Sequence, residues 1–456
     1  MHRICSFLLL VSSLFAGQAD WIWSARYVIT EDAAHRVIEQ GAVAVRNGAI
    51  LAVGPKAEID ARFQARLRLD RPDAILAPGL IDTHTHAAMS LFRGIADDRK
   101  LQDWLEKYIF PAEAKNVTPD FVRWGTRLGC LEMLLSGTTT FTDMYYFEDV
   151  VAETSKEAGM RGVLGETIIG FPVADAKTPT ESLAFTEKYL NRFAGDSLIV
   201  PAVAPHALYT NSDETLKAAR ALANRHHAPL VIHVAETRKE NEDTLAARHM
   251  TAVQTLESLG VFDGRTVAAH CVWVNEGDMA ILKKRGVGVA HCPSSNMKLA
   301  SGVAPVVRML QLGIDVGLGP DGPAGSNNDF NMFEEMDLAA KLQKVITLDP
   351  QVLPAGQALE MATIGGARVL GMEKEIGSLE PGKRADMITV RLDRPNAEPL
   401  YDPISQMVYA LKGEDVRDVM VNGKPVVEDG KILTLNEAQI LKKAEEYRES
   451  VSRSLR

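Results

Sequence analysis

The sequence contains little cysteine and no cluster of basic residues. Four cysteines among 456 residues are too few for a disulfide scaffold, and no CxxC pair occurs. Cys271 and Cys292 each follow a histidine, but neighbours on a strand point to opposite faces. We therefore expect both thiols to pack away from the histidines. The net charge of −10 makes a nucleic-acid partner unexpected and suits a small neutral or cationic molecule.

Long apolar runs are also scarce. The run from Ile4 to Phe15 spans 12 residues, which is too short to cross a bilayer as a stable anchor. Small residues lead up to Ala19, so residues 1–19 are interpreted as a secretory signal. The alternatives are a start codon placed too early or an apolar lead-in to the first strand. Localisation is left open between export and the cytoplasm, and no membrane insertion is expected elsewhere.

The composition is that of a globular protein, with 46% apolar and 24% charged residues. Short β-prone runs occupy both ends of the chain, and Asn47-Gly48 and Asn422-Gly423 are strong hairpin turns. Neither end is long enough to close a sheet alone. We expect residues 20–76 and 375–435 to pair into one small β-sandwich domain, followed by a C-terminal helix within 436–456.

Between these ends, apolar runs alternate with helical segments, which is typical of βα units and a parallel sheet. Eight such runs predict a (β/α)8 barrel, an α/β fold, over residues 77–374. An open doubly wound sheet is the alternative, weakened because no GxGxxG turn follows the first strand. The eight runs are 75–82, 138–143, 161–166, 198–204, 230–234, 266–270, 287–291 and 315–319.

Polar side chains follow or end several of these strands, where barrel active sites lie. His84 and His86 stand two residues apart, so in an extended segment both imidazoles point to the same side. With His233 and Asp321 they form a ligand set suited to one divalent metal, zinc or alternatively ferrous iron, with a position left for water. A lone buried histidine would be explained by packing, but three histidines and one aspartate at strand ends favour a metal. His291 is ambiguous and is not assigned as a ligand.

The segment 77–86, with His233, His270 and Asp321, resembles the amidohydrolase superfamily over nearly the whole chain. Glu236 is similar to the proton-shuttling glutamate of the adenosine- and cytosine-deaminase-like branch. Strand four ends at His206 without a lysine, which argues against the members that hold two metals through a carbamylated lysine.

Five segments narrow the resemblance to the 5-methylthioadenosine/S-adenosylhomocysteine deaminases. The resemblance implies that Glu113 binds the ribose hydroxyls and that His206, Glu236, Asp321 and Trp104 contact the nucleoside. Without it, Glu113 would be a solvated helix carboxylate and Trp104 a packing residue. The five segments are 91–98, 104–113, 268–272, 291–299 and 319–329.

The resemblance also implies a mechanism, in which Glu236 protonates N1 of adenine and Asp321 takes the proton of the attacking water. His270 hydrogen-bonds the resulting hydroxide, and ammonia and the inosine analogue are the products. One departure is Glu166 after strand three, where members can carry arginines that hold a charged tail. With only Lys177 in the following loop, methylthioadenosine or adenosine is expected to be preferred over S-adenosylhomocysteine.

Two rival interpretations stay open. The first is another enzyme of the same scaffold, acting on a guanine, a pyrimidine or a triazine, since a fold does not fix a substrate. The second is a non-catalytic metal- or nucleoside-binding protein. The other class of zinc deaminase is excluded because its PCxxC signature is absent. A homo-oligomer is also left open.

Overall fold

The structure is a computed structural model that describes residues 17–455. Most of the predicted signal segment, residues 1–16, lies outside the described residues. Gly17, Gln18 and Ala19 already belong to the first strand, where they pair with residues 63–65.

The described chain contains two sheets. Its strands, in chain order, are β1 Gly17–Ile29, β2 Val37–Arg46, β3 Ala49–Pro55, β4 Phe63–Pro78, β5 Leu80–Thr85, β6 Thr138–Tyr145, β7 Arg161–Ile168, β8 Ile199–Pro205, β9 Leu230–Val234, β10 Thr266–His270, β11 Gly288–His291, β12 Val316–Leu318, β13 Met387–Arg391, β14 Val416–Val421, β15 Lys424–Glu428 and β16 Lys431–Ile432.

Helices connect and cover these strands. The α-helices are α1 Lys56–Arg62, α2 Leu101–Trp104, α3 Phe110–Asn116, α4 Pro119–Leu135, α5 Glu148–Ala158, α6 Pro179–Phe193, α7 Asp213–His226, α8 Arg238–Arg248, α9 Ala252–Ser258, α10 Glu276–Arg285, α11 Pro293–Lys298, α12 Val306–Gln311, α13 Met332–Thr347, α14 Ala355–Met361, α15 Ile364–Leu370, α16 Pro403–Tyr409 and α17 Glu437–Ser454. Leu105–Ile109 forms a π-helical turn, and Ala87–Phe92, Leu208–Thr210, Pro395–Ala397 and Gly413–Asp415 are 3₁₀ turns. None of the helices within residues 17–455 combines the length and the apolar character needed to traverse a bilayer.

Both chain ends build one mixed sheet beside the barrel. Its order is β16-β15-β14-β13-β4-β1-β2-β3, so the C-terminal strands continue the sheet from β4. Asn47-Gly48 and Asn422-Gly423 have positive φ at both positions, as the tightest hairpin turns require. The prediction that both chain ends build one β-rich unit is therefore confirmed, and this unit is one continuous eight-stranded mixed sheet where the sequence predicted a β-sandwich. The domain boundaries assigned from the sequence stay predictions.

The strands β5 to β12 close into a parallel barrel, which confirms the predicted (β/α)8 fold. Alternate residues such as Val163, Val231 and Val267 point inward and fill its interior, where they meet Ile364 and Val369 of α15. The barrel is thus a packed core that fixes the positions of its strand ends.

The first predicted run, 75–82, is divided between the two sheets. Residues up to Pro78 belong to β4, and Leu80 begins the barrel. The division falls at Gly79, where a Cβ atom would lie 2.1 Å from Oγ1 of Thr139. Only glycine therefore allows the chain to pass so close to β6 as it changes sheets.

A buried ion pair joins the barrel to the mixed sheet. Nε of Arg161, at the start of β7, donates to Oδ2 of Asp386 at 2.8 Å, and both side chains are 2% exposed. Asp386 also accepts a hydrogen bond from the backbone of Asn422. This pair sets the position of the C-terminal strands on the barrel.

Candidate active site

Five candidate residues lie at the carboxyl ends of the barrel strands, where the sequence placed them. His84 lies within β5 rather than after it, and His86 follows that strand. His233 lies within β9, His270 is the last residue of β10, and Asp321 follows β12. All but His86 are buried, and His86 is partly so.

Two of these residues have an unusual backbone. His270 has φ 70° and Asp321 has φ 66°, which is the left-handed region that residues with a Cβ avoid. Such conformations cost about 1–3 kcal/mol each and gather at functional sites. The surrounding loops therefore hold these two side chains over the barrel mouth against a local energetic cost.

The ligand atoms of these residues converge. Nε2 of His84 and Nε2 of His86 lie 3.4 and 3.3 Å from Oδ1 of Asp321. One group of candidate ligands is His84, His86 and Asp321, and a second is His84, His233 and His270, each with ligand atoms within 4.8 Å of one another. His84 belongs to both groups, so the two meet at one point.

Hydrogen bonds fix which imidazole nitrogen carries a proton. Nδ1 of His86 donates to the carbonyl oxygen of Met144 at 2.7 Å, and Nδ1 of His233 donates to that of His206 at 2.7 Å. Since a carbonyl oxygen only accepts, each Nε2 keeps a lone pair. Both ring nitrogens of His84 are buried without a hydrogen-bond partner among the described residues. Unpaired nitrogens facing a carboxylate fit a bound divalent cation.

Asp321 is held as an anion. Oγ of Ser295 donates to its Oδ2 at 2.7 Å, and the backbone N–H of Gly322 donates to its Oδ1 at 2.6 Å. Burial alone would raise the pKa of Asp321, but His84, His86 and His270 hold that pKa well below its usual range. An ionised carboxylate at this position can bind a cation or accept a proton.

His270 faces the centre of the site in its neutral form. Its Nδ1 donates to Oδ1 of Asn296 at 3.0 Å. Its Nε2 lies 3.9 Å from Oε2 of Glu236 and 4.0 Å from Oδ2 of Asp321. Burial lowers the pKa of His270, so the ring is uncharged and its Nε2 is directed at the space between the two carboxyl groups.

Glu236 is buried at 3% exposure, and its backbone is anchored. Glu240 accepts the backbone N–H groups of Ala235 and Glu236 at 3.3 and 2.9 Å. Burial raises the pKa of Glu236 to about 8, and the charge of Asp321 adds to the rise against the lowering by His86. Glu236 is therefore protonated at neutral pH and can act as an acid.

The residues expected to contact a nucleoside form the walls. Glu113 is 6% exposed and accepts a hydrogen bond from the Tyr145 hydroxyl at 2.8 Å. Burial raises the pKa of Glu113 to about 7, although this bond opposes the rise. Nε1 of Trp104 donates to the carbonyl oxygen of Ala324 at 2.9 Å, which fixes the indole over the cavity.

One cavity connects these groups. Eight of the nine residues singled out from the sequence line it, and His84 lies beneath it in contact with its ligand partners. The lining residues are His86, Met89, Leu101, Trp104, Leu105, Ile109, Phe110, Glu113, Met144, Tyr145, Tyr146, Thr167, His206, Tyr209, His233, Glu236, His270, Leu299, Asp321 and Ser326.

Four residues that the sequence analysis did not single out complete the site. Asn296 and Ser295 orient His270 and Asp321, Glu240 supports the backbone of Glu236, and Tyr145 binds Glu113. Ser295 and Asn296 lie in the segment 291–299 that carried the resemblance. The spacing of residues within that segment does not indicate which side chains contact His270.

Other residues considered from the sequence lie away from the cavity. Glu166 lies inside β7, fully buried, and accepts the backbone N–H of Glu148 at 3.0 Å. Lys177 is exposed. Cys271 and Cys292 are buried free thiols that do not line the cavity, as expected.

A closed parallel barrel with histidines and an aspartate at its strand ends is the architecture of metal-dependent hydrolases. The chain belongs to the amidohydrolase family, whose model matches residues 75–426.

Within this family, the chain is similar in sequence to two deaminases and in structure to a third. The chain is 48% identical to 5-methylthioadenosine/S-adenosylhomocysteine deaminase 1 of Syntrophus aciditrophicus, over 92% of this chain and 94% of that protein. It is 47% identical to a deaminase of the same description from Syntrophobacter fumaroxidans, over 94% and 97%. An adenosine deaminase from Xanthomonas campestris, solved with bound zinc, superposes with TM-score 0.94 at 38% identity, covering 96% of this chain and 100% of its own.

Proposed function

We propose that the protein hydrolytically deaminates the adenine ring of 5-methylthioadenosine, S-adenosylhomocysteine or adenosine. The products are the inosine analogue and ammonia. The observation that carries this proposal is the buried Glu236 carboxyl group beside His270, in a cavity that Asp321 and Glu113 also line. The names of the relatives and of the solved deaminase support the same reaction.

We assign His84, His86, His233 and Asp321 as the ligands of one divalent cation, with zinc preferred and ferrous iron as the alternative. The free lone pairs on the histidines and the anionic Asp321 support this assignment. When bound, such a cation supplies a water whose pKa is lowered from about 15.7 to about 7. Zinc in the Xanthomonas campestris deaminase is consistent with it.

Glu236 starts the reaction as the acid. Its carboxyl proton moves to N1 of adenine, which draws electron density from C6 and makes that carbon electrophilic. Burial keeps the proton on Glu236 until the ring arrives, because the ionised form would lack solvation. Glu240 keeps the carboxyl directed into the cavity through its hold on the backbone.

Asp321 and His270 act on the oxygen side. Asp321 accepts a proton from the attacking water, and a bond forms between that oxygen and C6. His270 hydrogen-bonds the oxygen and stabilises the tetrahedral centre. The proton held by Asp321 then passes to the amine, the C6–N bond breaks, and ammonia leaves. The remaining hydroxyl proton returns to the Glu236 carboxylate as C6 becomes the carbonyl carbon of the inosine analogue.

Glu113 and Trp104 position the substrate. The Glu113 carboxylate is placed to accept hydrogen bonds from two ribose hydroxyls, and the Tyr145 hydroxyl fixes its orientation. His206 faces the same space, and its Nδ1 lies 3.1 Å from Oγ1 of Thr210. Because the Thr210 hydroxyl donates to the carbonyl oxygen of Ala207, Nδ1 of His206 is the donor to Thr210 and Nε2 is free to accept. These contacts hold C6 over the reacting water.

Ammonia release from a substrate panel tests the proposal. The zinc-loaded protein is assayed with methylthioadenosine, S-adenosylhomocysteine, adenosine, guanine, cytosine and a chlorotriazine. We expect turnover of the adenine nucleosides. Turnover of only the other compounds would assign a different amidohydrolase reaction, and no turnover of any of them would leave a binding protein.

Glu236→Gln tests the acid directly. We expect at least a roughly 1,000-fold loss of kcat with normal zinc content, since the amide cannot donate an acidic proton. Glu242→Gln is the matched control, because Glu242 lies on α8, the helix that follows Glu236, but is exposed and pairs with Arg238. Retained activity of Glu236→Gln would remove Glu236 from this role.

A further inference from the structure

The active-site cavity opens into a groove of about 650 Å³. Leu105, Phe110 and Tyr209 line both the cavity and the groove, so the two are continuous. The groove is therefore the space into which a substrate longer than adenosine can extend. Its remaining lining residues are Gln102, Glu106, Gly170, Phe171, Thr210, Asn211 and Ser212.

The groove begins at the ribose end of the cavity. Phe110 and Glu113 are three residues apart on α3, so both side chains lie on the same face of that helix. Since Glu113 is the proposed partner of the ribose hydroxyls, a substituent on the ribose lies next to Phe110. The Phe110 ring is 5.0 Å from the Phe171 ring and 6.4 Å from the His206 ring.

The charge in this groove is of one sign. Among the described residues that line it, Glu106 is the one charged side chain, and no lysine or arginine is present. Phe110 and Phe171 supply an edge-to-face aromatic pair at the entrance. Lys177, the cation nearest in sequence to Phe171 in its loop, is exposed and does not line the groove.

A second groove differs in both place and charge. It is lined by Lys100, Arg238 and Lys239 with Trp273, and it meets the cavity at Leu101 and Leu299. Arg238 and Lys239 come two and three residues after Glu236 in the chain, so this groove adjoins the adenine end of the cavity, and it touches the first groove at Gln102. Its cations are therefore badly placed to receive a group attached to the ribose.

We propose that Phe110, Phe171 and Glu106 select nucleosides whose 5′ substituent is small, apolar and uncharged, so that methylthioadenosine is preferred over S-adenosylhomocysteine. This inference rests on the proposed function. A methylthio group places its sulfur against aromatic rings, which is a favourable contact. The homocysteine tail carries both an ammonium group and a carboxylate. Glu106 can pair with the ammonium group, but it repels the carboxylate, which finds no cation among the residues that line the groove.

Relative rates on the two nucleosides test this selection. For the zinc-loaded protein we expect kcat/KM for methylthioadenosine to exceed that for S-adenosylhomocysteine by at least roughly tenfold. The ratio is measured on a single sample, so it does not depend on the fraction of folded or loaded protein. Equal values, with both activities lost in Glu236→Gln, would overturn the selection and leave the proposed function intact. Failure to deaminate any adenine nucleoside would overturn both.

Two pairs of variants locate the selectivity. Phe171→Arg places a cation in the groove and should raise the ratio of S-adenosylhomocysteine to methylthioadenosine activity by roughly tenfold, whereas Phe171→Leu should not raise it. Glu106→Lys should raise the same ratio, whereas Asp103→Lys, an equal charge change facing the second groove, should not. A ratio unchanged in both Phe171→Arg and Glu106→Lys would place the tail elsewhere.

Discussion

Single side chains determine the protonation states on which the proposed chemistry depends. Glu236 and Asp321 are both buried carboxyl groups, yet their pKa values move in opposite directions. Histidines and hydrogen-bond donors surround Asp321 and lower its pKa, whereas burial and the charge of Asp321 raise the pKa of Glu236. At the same pH, Asp321 is therefore ionised and suited to act as a base, whereas Glu236 is protonated and suited to act as an acid.

This difference predicts the alkaline side of the pH profile. Glu236 must carry its proton when the ring arrives, and its pKa is about 8. Since a carboxyl acid loses its proton as pH rises, kcat/KM should fall about tenfold per pH unit above that pKa. A bound cation favours the ionised form, so the apparent pKa of the loaded enzyme should lie at or below 8. A kcat/KM that kept rising through pH 9 would contradict this prediction.

Asn296 is predicted to be a positioning residue for His270. Its Oδ1 accepts the Nδ1 proton, which keeps Nε2 directed at the reacting oxygen. Asn296→Ala should lower kcat by about 10–100-fold while KM and zinc content change little. Asn296→Asp keeps an acceptor and should recover much of the loss. Equal kcat in Asn296→Ala and the unchanged protein would show that the ring needs no such support.

Among single residues, the sequence was sufficient to predict the candidate metal ligands, because histidine and aspartate at strand ends have few other roles. The spacing of His84 and His86 and the strand ends at His233 and Asp321 were enough to bring them together. Asn296 and Tyr145 were missed because a polar residue in a loop or at a strand end has many alternative roles. Which neighbour it contacts depends on packing between segments that are distant in the chain.

Among the elements, the helical segment that covers the cavity is the most closely tied to substrate entry. It runs from Leu101 to Asn116 and is interrupted by the π turn Leu105–Ile109, a feature common at functional sites. Trp104 fastens the segment to the loop after β12 through Ala324. Lys298 adds bonds to Asp97 and to the carbonyl oxygen of Gly325.

Trp104→Phe should loosen this cover. The variant keeps an aromatic wall but loses the hydrogen bond to Ala324, worth about 1 kcal/mol, so KM should rise roughly fivefold. Hydrogen exchange of residues 94–104 should accelerate in parallel. Trp273→Phe is the control, because its Nε1 makes a comparable 2.7 Å bond to Ser301 outside the cavity. An unchanged KM together with faster hydrogen exchange would show that the helical segment over the cavity does not contribute to substrate binding.

The elements also show where sequence patterns are ambiguous. Each predicted barrel strand corresponds to an observed one, because apolar runs bounded by turns report burial directly. The apolar pattern predicts a single strand over 75–82, since hydrophobicity does not reveal a change of sheet at Gly79. The π turn was not foreseen, because a helix with one extra residue keeps nearly the same apolar pattern.

In the whole molecule, the pair of Arg161 and Asp386 is predicted to hold the two sheets together. Arg161→Met leaves Asp386 buried without its partner and should lower the free energy of unfolding by about 3–5 kcal/mol. The double variant Arg161→Met with Asp386→Asn should lose much less, since no buried charge is left unpaired. Denaturant unfolding of both proteins with zinc present measures the difference. Equal losses would indicate that packing, rather than charge, joins the sheets.

The overall architecture followed from the sequence because two separated β-rich ends, each too small alone, had to combine. The order of the strands in the mixed sheet could not be predicted from the sequence. The parallel pairing of β1 with β4 and the antiparallel pairing of β13 with the other edge of β4 depend on how the barrel brings the two ends together.

The mixed sheet is built from both chain ends, so its strand β4 is synthesised long before its neighbour β13. Strand β13, which covers one edge of β4, emerges from the ribosome more than 300 residues after β4 is complete. At elongation rates of about 5–20 residues per second this interval is roughly 15 to 60 seconds. During that time the nascent chain carries a strand with unpaired backbone groups, which can template aggregation. Truncated translation products would keep that edge permanently, so quality control by chaperones and proteases is expected to act on them.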